Sequence, residues 1–140
     1  MNTSAKITTS LLASTLLLTS CKTYMMTREQ LYTQIHAATP RDVAVRIPIA
    51  TRTYRSNGVK DIMCTDKHGK PATIPNSPHI EMRITTTKNK KRIMFFDTVS
   101  LSDSTFTGQN SMILGTTRSV RYADIKKIEI QNGGKKYNYK

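Results

Sequence analysis

The stretch Ile80-Glu81-Met82-Arg83-Ile84-Thr85-Thr86-Thr87-Lys88-Asn89-Lys90-Lys91-Arg92-Ile93-Met94-Phe95-Phe96 decides the reading of the fold. Ile80, Met82 and Ile84 alternate with Glu81, Arg83 and Thr85. That period of two matches a strand with one face in a core and one in water. Lys88-Asn89-Lys90 is a polar turn, and Ile93 opens a second apolar run. The unit reads as a hairpin whose second strand continues through Val99 and Leu101 until Ser102-Asp103-Ser104 turns the chain back.

The same alternation and turn residues recur on both sides. Towards the C-terminus, Met112-Ile113-Leu114 is a short apolar run before Gly115, and Val120 and Tyr122 lead into Asp124. Ile125, Ile128 and Ile130 lie among Lys126, Lys127 and Glu129, and Asn132-Gly133-Gly134 signals a hairpin with Tyr137 and Tyr139 on the returning strand. Towards the N-terminus, Lys70–His79 holds Pro71, Pro75 and Pro78 and reads as loop or broken edge. Ile62 and Cys64 enter a turn at Asp66-Lys67-His68-Gly69. Val43, Val45, Ile47 and Ile49 alternate over Asp42–Ala50, where Pro48 marks an edge strand. Before them, Thr27 precedes Gln30 at capping-box spacing, and Leu31, Ile35 and Ala38 recur on one face. This predicts a short amphipathic helix over about Arg28–Ala38, ended by Pro40 and packing Leu31 and Ile35 on the domain.

The expected fold class is mainly β. It is a small curled antiparallel sheet or partly open barrel, preceded by the short helix. Turns at intervals of about 8–12 residues carry that expectation. The 140-residue length and 37% hydrophobic content allow one small domain and exclude a multi-domain enzyme or a polytopic membrane protein.

The start of the chain carries an address. Met1–Lys6 has one cation, Lys6, and an apolar stretch follows over Ile7–Leu18. A membrane span needs about 20 apolar residues, so this shorter run reads as a signal-peptide core, helical in the precursor. It ends in Leu18-Thr19-Ser20-Cys21, which resembles the lipobox of bacterial lipoproteins. The chain as a whole resembles the short Gram-negative lipoproteins of no assigned activity. The resemblance implies cleavage after Ser20, a diacylglyceryl group on the Cys21 thiol and an acyl group on its new N-terminus. Two or three chains anchor a protein stably, whereas one is marginal. Residues 1–20 are then the signal peptide, 21–41 a lipidated tether with the short helix, and 42–140 the β-rich domain. Lys22 follows the cysteine, with neither the Asp of inner-membrane retention nor an acidic export run. That places the protein in the cell envelope, on the periplasmic leaflet of the outer membrane, with the cell surface as the alternative.

Arg92–Ile130 resembles small five-stranded barrels of the Sm-like or SH3-like kind, closing on Asp124-Ile125-Lys126-Lys127-Ile128. The resemblance implies architecture and no function.

Charge is the remaining clue. The chain has 22 Lys and Arg against 9 Asp and Glu, a formal +13, and removing residues 1–20 takes away only Lys6 and leaves +12. An exported protein is not expected to meet nucleic acid, so the polyanions within reach are envelope lipid, lipopolysaccharide and glycan. Lys88, Lys90, Lys91 and Arg92 form the densest run and are the candidate anionic-surface site. An envelope protein partner, held through exposed sheet edges, is the alternative.

Catalysis and metal binding have thinner support. Cys64 lies near Asp66 and His68, with His79 further on, but those types are also what a turn contains. No nucleophile elbow, phosphate-cradling loop or paired carboxylates occur in the sequence. No enzyme activity, metal or cofactor is therefore expected beyond the lipid on Cys21. A small thiol enzyme using Cys64 is the weakest alternative. With Cys21 acylated, Cys64 has no disulfide partner and is expected to be buried as a small apolar side chain.

Overall fold

The structure, a computed structural model, describes residues 22–140. The signal segment and the lipidation candidate Cys21 lie outside the described residues. Strands run as β1 (Thr23–Met26), β2 (Arg41–Ile47), β3 (Ala50–Ser56), β4 (Asp61–Thr65), β5 (Pro71–Pro75) and β6 (Ile80–Thr86). They continue as β7 (Lys91–Phe95), β8 (Ser100–Ser102), β9 (Thr105–Gln109), β10 (Thr117–Arg121), β11 (Ile125–Asn132) and β12 (Asn138–Tyr139), with one α-helix among the described residues, α1 (Arg28–Ala37). The protein is mainly β and wholly antiparallel in its pairing, and its sheets do not close into a barrel.

The hairpin that opened the reading is β6–β7, with Glu81 opposite Phe95 and Thr85 opposite Lys91. It forms one side of a six-stranded sheet ordered β5-β4-β1-β11-β6-β7. Alternation sends Met82, Ile84, Met94, Ile62 and Cys64 to its inner face, where each is buried. Ile125, Ile128 and Ile130 join them despite uneven spacing, because a register shift between Ile125 and Lys127 absorbs one extra residue. Helix α1 covers this face with Leu31 and Ile35, while Phe106 of β9 and Val120 of β10 complete the cluster. The helix begins as its sequence requires. Thr27 Oγ1 accepts from Gln30 N at 3.0 Å, and Gln30 Oε1 accepts from Thr27 N at 2.9 Å.

The structure departs from the sequence reading at several places. Thr23–Met26, expected as part of a tether, is a central strand. It pairs with β11 along its whole length and touches β4 at Met25. Four residues are too few for a periodicity signal, and the strand exists because two longer neighbours leave a slot for it. The long strand expected from Ile93 to Leu101 breaks at a 3-10 turn, Phe96–Thr98, so that β7 and β8 belong to different sheets. Pro48 marks no edge. It lies in the turn after β2, and β2 is the middle strand of the sheet β12-β2-β3. The strand after Gly134 does not return on β11, because β12 pairs with β2. The proline-rich stretch does form an edge: β5 is the outermost strand, where a missing N–H costs least.

Arg92–Ile130 contains β7 to β11, distributed over the six-stranded sheet and the sheet β10-β9-β8. The third sheet, β12-β2-β3, packs Val45, Ile47 and Tyr54 on Phe95, Met112 and Tyr137 as a second apolar cluster.

Candidate anion-docking face

The turn joining β6 and β7 is closed by its own backbone. Asn89 N donates to Thr86 O at 2.8 Å and Lys90 N to Thr86 Oγ1 at 3.1 Å. Asn89 sits at φ 60°, a left-handed position that asparagine tolerates. The tip is pinned to the β10–β11 corner by Thr87 N donating to Asp124 O at 2.9 Å and Lys126 Nζ to Asn89 Oδ1 at 3.1 Å. Lys88 and Lys90 are therefore held on a fixed turn, exposed to solvent.

Two basic grooves flank this hairpin. The first, of about 330 Å³, is lined by Lys88, Lys90, Arg92 and Arg121 together with the hydroxyl residues Thr86, Thr105 and Ser119. Its one carboxylate, Asp124, is already engaged by Arg121 Nε at 3.0 Å. Cations beside hydroxyl donors suit a phosphate or carboxylate group. The second groove, of about 570 Å³, lies between β7 and the loop of residues 110–116. Lys91, Arg92, Arg118 and Lys135 line it with Ile93 and Ile113, and Glu81 is its only lining carboxylate.

The run Lys88, Lys90, Lys91 and Arg92 is thus not one patch. Lys88 and Lys90 line the first groove, Lys91 the second and Arg92 both. Lys91 and Arg92 both reach the second groove, Arg92 also the first, and the grooves are completed by Arg118, Arg121 and Lys135, distant in sequence. Spacing along the chain carries no signal for that gathering.

The other candidates are placed differently. Cys64 is 2% exposed, its Sγ lying 3.6 Å from Ala72 O, and burial pushes its thiol pKa up. The thiol is therefore protonated at neutral pH, the unreactive form. Asp66 closes its turn by accepting from His68 N at 2.8 Å and Lys70 N at 3.0 Å, and those bonds lower its pKa. His68 is exposed in that turn, and His79 shares a hydrogen bond with Ser77. Among the described residues, no three His, Cys, Asp or Glu side chains gather at metal-binding distance. Among the same residues, no helix is long and apolar enough to cross a membrane.

One cluster had no sequence signal. Asp97, fully buried in the 3-10 turn, accepts from Tyr54 Oη at 2.5 Å, Ser56 Oγ at 2.6 Å, Tyr139 Oη at 2.7 Å and Asn76 Nδ2 at 2.9 Å. Burial, then the negative charge of Asp97, holds the Tyr54 hydroxyl well above the usual tyrosine range. Burial and the bond to Asp97 do the same to Tyr139. These donors come from β3, the β5–β6 connection and β12.

No family model, curated protein or solved structure matches this chain.

Proposed function

We propose that this protein is a lipid-anchored, non-enzymatic binding module of the bacterial envelope, acylated on Cys21, whose basic face docks on anionic envelope lipid or glycan. The lipobox-like Leu18-Thr19-Ser20-Cys21 supports the anchor. The observation that carries the docking is the pair of basic grooves on either side of β7, each with one lining carboxylate. Each cation near an anionic surface contributes about 1 kcal/mol, lost to screening beyond about 10 Å at 0.1 M salt. With an anchor holding the domain at the surface, several such contacts suffice to orient it.

The test uses residues 22–140, which contain every strand pairing and both apolar clusters described above. The chain is sedimented with vesicles of anionic or neutral lipid across a salt series. The expected result is binding to anionic vesicles that falls steeply with salt. Absence of binding at low salt ends the docking reading.

A second reading, a structural subunit of an envelope complex, is supported by the short cover on β2. Strand β12 pairs with only Val45 and Arg46 there. A partner strand that extends this cover would co-purify with the protein.

A further inference from the structure

Residues Thr23, Gln131, Glu81 and Phe95 form one row across four adjacent strands of the six-stranded sheet. At about 4.8 Å between neighbours, Glu81 lies roughly 10 Å from Thr23. Glu81 also lines the second basic groove. Position 21 is two residues from Thr23, so its Cα stays within about 7 Å of the start of β1. The Lys88–Lys90 tip is at the other end of β6, about 20 Å along the strand from this row. An anchor on Cys21 therefore starts nearer the Glu81 and Phe95 end of the second groove than the Lys88–Lys90 tip.

That same groove is lined by Ile113 of the β9–β10 loop and Ile93 of β7, 48% and 41% exposed, and Leu114, next to Ile113 on the loop and outside the groove lining, is 76% exposed. The loop is built, not loose. Gly115 N donates to Ser111 O at 2.9 Å, Asn110 N to Thr116 O at 2.9 Å, and Leu114 N to Ser111 Oγ at 3.1 Å. Met112 is buried in the second apolar cluster, and Arg52 Nη2 donates to Ile113 O at 2.7 Å. A stapled loop that turns two large aliphatic side chains to water, beside Lys91, Arg118 and Lys135, is complementary to an anionic lipid surface. Its apolar tip matches the acyl boundary and its cations match the phosphates.

We infer that the Ile113–Leu114 loop is a membrane-inserting wedge, seated in the leaflet that holds the Cys21 anchor, with Arg118 and Lys135 on the surrounding headgroups. The inference rests on the proposed anchor and commits the docking face to lipid.

The protein has no tryptophan, so one introduced residue reports alone. Residues 21–140 are coupled through the Cys21 thiol to a maleimide lipid in anionic vesicles, Cys64 being shielded by burial. The lipids carry bromine about 5–10 Å below the headgroups. Emission of L114W is expected to shift to the blue and to fall by about half or more, with K88W unchanged. Quenching of K88W but not L114W, or of neither, overturns the wedge. So does self-association of the uncoupled wild-type chain 22–140 in solution that is abolished by L114D, which would make the loop a contact between copies. Salt-sensitive sedimentation of chain 22–140 without L114W quenching leaves the docking reading standing and the wedge refuted. Quenching of L114W with no salt-sensitive sedimentation leaves the insertion of the loop standing and refutes the contacts of its flanking cations with headgroups.

Discussion

Asp97 is fully buried, and four neutral donors from three other segments take the place of a countercharge. Such a carboxylate is stabilised by hydrogen bonds, each worth about 1.5–3 kcal/mol when one partner is charged. Tyr54→Phe removes one of them with little change of shape. The expected cost is about 1.5–3 kcal/mol at neutral pH, read from urea unfolding. The same variant has a signature in pH. A tyrosine whose folded pKa is raised keeps its proton after the unfolded chain has begun to lose it near 10.0. Its contribution is complete below that pH and declines as pH rises through the folded value. Wild-type stability is therefore expected to fall more steeply above about pH 10 than that of Tyr54→Phe. Parallel pH curves for the two proteins would contradict this. Nothing in the sequence around Asp97 announced this role. Phe95-Phe96-Asp97-Thr98 reads as strand, and the four donors lie up to 43 residues away.

At the scale of elements, helix α1 was legible because its signals are local. The cap, the Leu31 and Ile35 stripe and the stop before Pro40 fall within one short segment. Its start depends on the reciprocal bonds between Thr27 and Gln30. Thr27→Ala is expected to cost about 1 kcal/mol, and Thr27→Ser to restore most of it, by chemical denaturation. The hairpin β6–β7 was legible for the same reason, since alternation and turn occupy adjacent residues. Strand β1 was not. Tyr24 and Met26 give two inward positions at most, and the segment became a strand only because β11 and β4 present free backbone on either side. Gly58 is a similar case. At φ +79° it passes so close to Thr39 O that a Cβ there would clash, a constraint imposed by the helix exit and invisible in Ser56-Asn57-Gly58 alone.

For the whole molecule, the decisive quantity is where charge stands relative to the start of β1. The overall +13 says only that anions are attracted. The fold distributes the cations over two grooves on either side of β7. Charge reversal separates them: Arg118→Glu with Lys135→Glu alters the second groove, and Lys88→Glu with Lys90→Glu alters the first. Both pairs change net charge equally. On vesicles of anionic lipid, the Arg118 and Lys135 pair is expected to weaken binding by about tenfold more. Equal losses would mean that the domain responds to its total charge and presents no particular face.

Local sequence specifies what depends on neighbours within about ten residues. It specified the antiparallel hairpin, the capped helix and a mainly β chain, because period and turn chemistry act through adjacent dihedrals. The tertiary structure decided the partners of β1 and β12, the break at Asp97, the division into three sheets and the two grooves that split Lys88–Arg92. Those outcomes depend on burying side chains and satisfying backbone groups that meet only after the chain has closed long loops.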